Sequence, residues 1–170
     1  VSLDRIVPCS AMKPATLADW EILGNSLGLL PEPMVRPILI VVSGLPGTGK
    51  SYFSQRMAER FPLALLETDA LRRVLFSRPT YSVGESTRLF IACHRLIEEL
   101  LRKSMAVLLD ATNLVEAHRE RLYHIADSLG AKLVMIKVEA PPDLVQKRLE
   151  TRSSLPERQD HSKADWSVYQ

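Results

Sequence analysis

The chain has 170 residues, 46% hydrophobic and 25% charged, which suits one globular domain with a well-buried core. Its 22 basic and 20 acidic residues leave a net charge of +2, so there is no broad electrostatic footprint for a long polyanion. Cys9 and Cys93 form no metal or redox motif, no apolar run reaches membrane-spanning length and no secretory signal is visible; a cytoplasmic setting without membrane contact is expected.

Residues 1–35 read as an N-terminal arm and an extra helix. The arm holds Pro8 and Pro14 and shows little periodicity. Thr16 is a candidate cap for a helix to about Leu30, with Leu17, Trp20, Leu23, Leu27 and Leu30 along one stripe. Such a helix either packs on the domain or forms an interface with a partner. Arg36 to Ser43 is an apolar, β-branched run that reads as a buried strand. Lys50 to Phe61 then reads as a helix buried through Phe53, Met57 and Phe61.

Between that strand and helix lies Gly44-Leu45-Pro46-Gly47-Thr48-Gly49-Lys50-Ser51, which fits G-x-x-x-x-G-K-[ST] at every fixed position. Strand, glycine loop, helix is the context this phosphate-binding motif requires. Its glycines let main-chain N–H groups approach a phosphate, and the helix N-terminus favours an anion. The whole loop, with Tyr52 just after it, is the expected binding site for ATP. Lys50 is expected on the terminal phosphates and the Ser51 hydroxyl on Mg²⁺.

Further along, residues 63–67 read as a second strand, 69–76 as a short helix and 77–84 as a loop. A long helix follows from Glu85 to about Lys103, buried through Leu89, Phe90, Cys93, Leu96, Ile97, Leu100 and Leu101. Residues 105–110 form a third strand, and Leu114 to Leu129 a helix stopped by Gly130. Lys132 to Ala140 is a fourth strand, and Pro141 and Pro142 open a helix to about Arg152. Residues 153–162 are a polar loop, and 164–170 begin another helix. Strands alternating with helices imply an α/β fold with a mainly parallel sheet, with ligands beyond the carboxyl ends of the strands.

Four features at those ends carry candidate chemistry. Asp110 closes a hydrophobic strand, a position from which a carboxylate can hold Mg²⁺ near Ser51. The next residue is Ala111, where many motor ATPases place a water-activating Glu, and the base-reading N-K-x-D of GTPases is absent. Asp69 and Arg72 share a helical face; the carboxylate could accept a proton from an attacking hydroxyl and the guanidinium fix an anionic group of the acceptor. The plainer alternative is a helix cap with a surface neighbour. Arg148 and Arg152 share a face before the polar loop and could neutralise a transferring phosphoryl group, or form a solvated basic face. His94, His118, His124 and His161 share no ligand spacing and read as structural or exposed.

Together, the phosphate loop, Asp69-x-x-Arg72, the strand ending Leu109-Asp110-Ala111-Thr112-Asn113-Leu114 and Arg148-x-x-x-Arg152 resemble the P-loop small kinases. More narrowly, they resemble the predicted kinases akin to the polynucleotide 5′-hydroxyl kinase domain and the zeta-toxin and chloramphenicol phosphotransferase group. The similarity runs from about Ile38 to Tyr169 and includes the segment 162–169, departing at Lys163, where the group often has an acid. The resemblance implies a three-layer α/β/α kinase domain over residues 36–170 with a lid near 153–162. It implies that Asp69 activates the acceptor hydroxyl, Arg72 holds an acceptor phosphate and Arg152 is a lid arginine. Some relatives join this domain to a second one, and a first residue other than Met fits a part of a longer protein.

The favoured expectation is an ATP- and Mg²⁺-dependent kinase for a hydroxyl on a small-molecule acceptor. Its catalytic set is Lys50, Asp69, Arg72, Arg148 and Arg152, with Ser51 and Asp110 on the metal. The alternatives are a polynucleotide 5′-hydroxyl kinase, with nucleic acid as partner, and a non-catalytic ATP-binding module acting on a fused or partner domain.

Overall fold

The computed structural model describes residues 17–112 and 115–154, with side chains through 151. In chain order the elements are α1 (Asp19–Ser26), β1 (Ile38–Gly44), α2 (Lys50–Arg60), β2 (Ala64–Glu67) and α3 (Thr68–Leu75). Then come α4 (Val83–Arg102), β3 (Val107–Thr112), α5 (Glu116–Ser128), β4 (Lys132–Lys137) and α6 (Pro142–Ser154). The four strands are parallel, in the order β2-β3-β1-β4.

Strand order fixes the layers. From β1 the chain crosses to β2 in one direction, then returns through β3 to β4 in the other. Right-handed crossovers therefore put α2 on one face and α3, α4 and α5 on the opposite face, an α/β/α sandwich. The strands alternate accordingly. Leu39, Val41, Leu66, Val107, Leu109 and Ala111 join the main core with Leu89, Cys93, Leu96, Ile97 and Leu100 of α4. Every residue expected on the buried face of α4 is buried.

Several boundaries differ from the periodicity. The first helix is only eight residues long, and its N-cap is Ala18, whose N–H donates to Glu21 Oε2 at 2.7 Å. Its chain turns extended at Leu27, so Leu17 and Leu30 lie outside the helix and exposed, while Leu23 is fully buried and Trp20 and Leu27 pack on the core. Thr16, the expected cap, lies outside the described residues.

In α2 the inward side chains are Lys50 and Ser54, whereas Phe53 and Phe61 are exposed by 36% and 55%. The helix begins inside the phosphate loop, so loop geometry sets its rotation, and the small Ser54 allows close approach to the sheet. Val83 and Gly84, read as loop, start α4, because Ser82 Oγ caps it by accepting from Glu85 N–H. The third strand runs past Asp110, since Ala111 and Thr112 pair with Ser43 and Gly44 of β1, while β4 stops at Lys137. The helix expected over 164–170 lies outside the described residues.

Candidate active site

The phosphate loop leaves β1 at Gly44 and enters α2 at Gly49. A Cβ on Gly44 would stand 2.3 Å from the Val138 carbonyl oxygen, so only glycine lets the loop leave the sheet beside β4. Gly49 caps α2 at φ 103°, in the left-handed region that suits glycine. Between them, Thr48 Oγ1 and Lys50 Nζ both donate to the Leu45 carbonyl, at 2.8 and 3.1 Å. Thr48 and Lys50 are buried, as is Pro46. Leu45 and Tyr52 face outward.

Helix α6 closes on this loop. Val145 and Leu149 are buried, and a Cβ on Gly47 would meet the Val145 side chain at 3.0 Å. Arg148 Nη1 donates to the carbonyls of Gly47 and Thr48, at 3.1 and 3.3 Å. The guanidinium expected at the phosphates therefore sits against the loop that would hold them. Arg152 lies on the same helix with its side chain outside the described residues, as does the expected lid beyond Ser154.

Asp110 is 4% exposed and lies on the α2 side of β3, opposite Val42 of β1. The Ser51 hydroxyl is near enough to draw its pKa down. Burial pushes its pKa up to about 6, against the pull of Ser51 and Lys50 and with help from the nearby Glu67 and Asp69 carboxylates. Among the described residues its Oδ2 is buried with no hydrogen-bond partner. A buried carboxylate oxygen left unpaired beside a hydroxyl and a lysine suits a cation and the phosphates it accompanies.

Asp69 stands in the first turn of α3, which starts directly at the end of β2. Thr68 Oγ1 donates to the Asp110 carbonyl at 3.0 Å, tying that turn to β3. Arg72, one turn on, is 7% exposed; its Nη2 donates to Ser86 Oγ at 3.2 Å, and its Nη1 lies 3.6 Å from Glu85 Oε2. Arg72 is thus buried between α3 and α4 and is not a surface neighbour of a helix cap.

Sequence reasoning missed Glu85 and Ser86. The signal was Ser82-x-x-Glu85, which reads as a capping box. In the structure the Glu85 carboxylate instead takes the N–H groups of Thr80 and Tyr81, upstream of the cap. Among the histidines, His94 and His118 gather round Phe90, whose ring stacks on His118 at 4.0 Å. They lie between α4 and α5 and play no part in the loop.

Comparison with known proteins agrees with this geometry. A family model described as an AAA domain matches residues 39–169. The L-seryl-tRNA(Sec) kinase of Methanococcus maripaludis is 35% identical over 116 residues, covering 65% of this chain and 44% of that protein. The chain therefore spans less than half the length of this curated relative. Among solved structures, a predicted kinase of Chloroflexus aurantiacus is 25% identical at a TM-score of 0.64, over 79% of this chain and 75% of its own. A chain of the Pnkp1/Rnl/Hen1 complex shares the fold, at 19% identity and a TM-score of 0.58, over 82% of this chain and 45% of its own. With a family model matching most of its length, a four-stranded parallel sheet and a phosphate loop closed by α6, the chain belongs to the AAA domain family and has the fold of a P-loop kinase.

Proposed function

We propose that this domain is an ATP- and Mg²⁺-dependent kinase that moves the γ-phosphoryl group to an alcohol oxygen of a compact acceptor. The observation that supports it is the convergence of three strand ends. The phosphate loop with Lys50 follows β1, Asp69 follows β2, and Asp110, whose pKa Ser51 and Lys50 draw down, lies near the end of β3. A non-catalytic nucleotide module has no use for a carboxylate at the acceptor side, so Asp69 favours the enzyme.

The division of labour follows from position. The loop N–H groups and Lys50 hold the β- and γ-phosphates. Arg148 braces the loop backbone and places positive charge beside it. Ser51 and Asp110 would hold Mg²⁺, which supplies charge neutralisation on the phosphate oxygens. Asp69 takes the proton of the acceptor hydroxyl as its oxygen bonds to the γ-phosphorus; the bond to the bridging oxygen of ADP breaks. Arg72 anchors an anionic group of the acceptor, and Arg152 meets the charge that develops during transfer.

A second reading keeps the chemistry and changes the carrier. The Methanococcus relative is named for a serine hydroxyl carried on a tRNA. That supports an alcohol acceptor and leaves room for one attached to nucleic acid, including a 5′-hydroxyl end. The modest charge of +2 favours the compact acceptor.

The test begins with calorimetry of Mg²⁺–ATP on wild type and Lys50→Ala. The variant should lose at least about tenfold in affinity, some 1.4 kcal/mol, while keeping its fold. Equal affinities would remove the reading at its base. Labelled ATP is then offered with hydroxylated small molecules, seryl-tRNA and a 5′-hydroxyl oligonucleotide. Salt-sensitive labelling of either RNA or oligonucleotide alone would replace the compact acceptor with the second reading.

A further inference from the structure

Away from the phosphate loop, a cleft of about 810 Å³ opens between α1, α4 and α5. Its α4 wall is one helical stripe, from Gly84 through Ile91 to Glu98, distinct from the stripe that enters the core. Helix α1 adds Trp20 and helix α5 adds Arg121. No phosphate-loop residue lines the cleft, nor do Asp69 and Arg72. Its α1 wall precedes residues 39–169, the part of the chain matched to the family. Small-molecule sites have volumes of about 300–1,000 Å³ and are mostly apolar, with a few convergent polar groups.

This cleft has that make-up. Ile91 is 64% exposed, and Ala92 and the Trp20 ring extend the apolar surface. Most charges around it are paired. Arg88 donates twice to Asp19, at 2.6 and 2.7 Å. Arg95 lies 2.7 Å from Glu99 and 3.5 Å from Glu98, with its guanidinium over the Trp20 ring. Arg121 differs: it is exposed and, among the described residues, has no ion pair or hydrogen bond. His94 is the buried polar residue of the lining, 8% exposed, and its Nε2 has no hydrogen-bond partner among the described residues. Burial, then His118 and Arg121, draw its pKa down to about 4, so the imidazole is neutral at neutral pH. An unbalanced cation and an unsatisfied imidazole thus meet one apolar cleft. A purely apolar ligand would leave both without a partner, and a cation would be repelled by Arg121. One guanidinium matches one negative charge, which suits a carboxylate better than a phosphate of about two charges.

We infer that the cleft is a second binding site, apart from the nucleotide and acceptor positions, for a small aromatic carboxylate. Arg121 meets the carboxylate, the His94 imidazole supplies it with an N–H, and Trp20, Ile91 and Ala92 receive the ring. The site does not depend on the kinase reading, since it shares no residue with the phosphate loop.

NMR of the full chain tests this, with naphthoate as probe and naphthamide as its neutral counterpart. The Trp20 indole N–H is assigned by its loss in Trp20→Phe and the His94 ring by its loss in His94→Gln; the Trp20 signal suffices if His94→Gln fails to fold. Naphthoate should move both signals along one saturating curve and bind about tenfold more tightly than naphthamide. Arg121→Gln, at an exposed position, should weaken naphthoate about tenfold and erase that preference. Arg60→Gln removes the same charge from α2, on the opposite face of the sheet, and should change affinity by less than about twofold. Bound naphthoate should also raise the pH at which His94 titrates, because its charge offsets Arg121. The other charged groups around His94 are His118 of α5, Asp19 of α1, and Arg88, Arg95 and Glu98 of α4; all but His118 are held in ion pairs. Signals that ignore naphthoate, equal affinities for acid and amide, Arg121→Gln binding as tightly as wild type, or a His94 pKa that stays or falls on binding would each overturn the proposal. These readouts are local to the cleft, so they hold whether or not ATP binds or is consumed.

Discussion

Asp110 is the residue at which the two demands on this domain conflict. Folding buries it to 4% exposure, while binding a cation needs it ionised. Its raised pKa, about 6, records that conflict, since burial outweighs the help from Ser51 and Lys50. Asp110→Asn should therefore stabilise the nucleotide-free domain at pH 8, by an amount on the order of 1–3 kcal/mol. The same change should abolish most of the rise in melting temperature that Mg²⁺ adds in the presence of ADP. Urea titrations at pH 8 and thermal scans with and without Mg²⁺ check both halves. A variant less stable than wild type at pH 8 would refute the account of Asp110 as a strained buried charge. Gly44 offers a simpler case: with a Cβ 2.3 Å from the Val138 carbonyl oxygen, Gly44→Ala must distort the loop or β4. It should destabilise the domain by several kcal/mol, roughly 3 or more, measurable by urea denaturation.

Among the elements, α1 shows which contacts carry weight. It is joined to α4 by the burial of Leu23, by the Asp19–Arg88 ion pair at 2.6 and 2.7 Å, and by Arg95 over the Trp20 ring at 5.7 Å. The ion pair draws the Asp19 pKa down and looks strong by distance, yet the Arg88 side chain is 56% exposed. Exposed pairs contribute about 0–1 kcal/mol, whereas truncating a fully buried leucine to alanine costs about 2–5 kcal/mol. Leu23→Ala should thus lower the urea midpoint markedly, Arg88→Ala slightly, and Leu30→Ala hardly at all. Equal effects from Leu23 and Leu30 would mean that α1 merely rests on the surface. The phosphate-loop helix teaches a related lesson: Phe53 and Phe61 read as its buried stripe, but Lys50 and Ser54 point inward because the loop dictates its rotation.

Across the whole molecule, pH acts through two buried groups in opposite senses. Asp110 rises from 3.8 to about 6, so its contribution is present below pH 3.8 and is lost as pH rises through 6. His94, held neutral by burial and by His118 and Arg121, falls from 6.5 to about 4; its contribution is present above pH 6.5 and is lost as pH falls through 4. His118 is lowered by burial and adds to the second trend. The two windows overlap, so wild-type stability should change little between pH 4.5 and 6. Asp110→Asn should uncover a rise with pH over that range, and His94→Phe a fall. Urea midpoints for the three proteins across the range decide the matter; parallel curves would mean that neither group titrates as its surroundings require.

The glycine loop, the alternation of strands and helices and the apolar face of α4 were legible in the residues themselves. Each is a local pattern, set by backbone geometry or by a period of hydrophobic side chains along one element. The phosphate loop needs no distant residue to be recognised, and Asp69-x-x-Arg72 shares a helical face whatever surrounds it. What surrounds it was decided only by folding. Strand order is invisible in a linear pattern, yet it brings Ser51 to Asp110 and α6 to the loop, where Arg148 grips the Gly47 and Thr48 carbonyls. The Glu85 side chain had a local reading, the second half of a capping box, and the turn just before the cap overruled it. Packing α3 against α4 buried Arg72, and the donors of the 80–81 turn outcompeted the backbone of Ser82 for its carboxylate. A one-dimensional period ranks side chains by their own element; a buried charge is placed by whichever neighbours, from any element, satisfy it best.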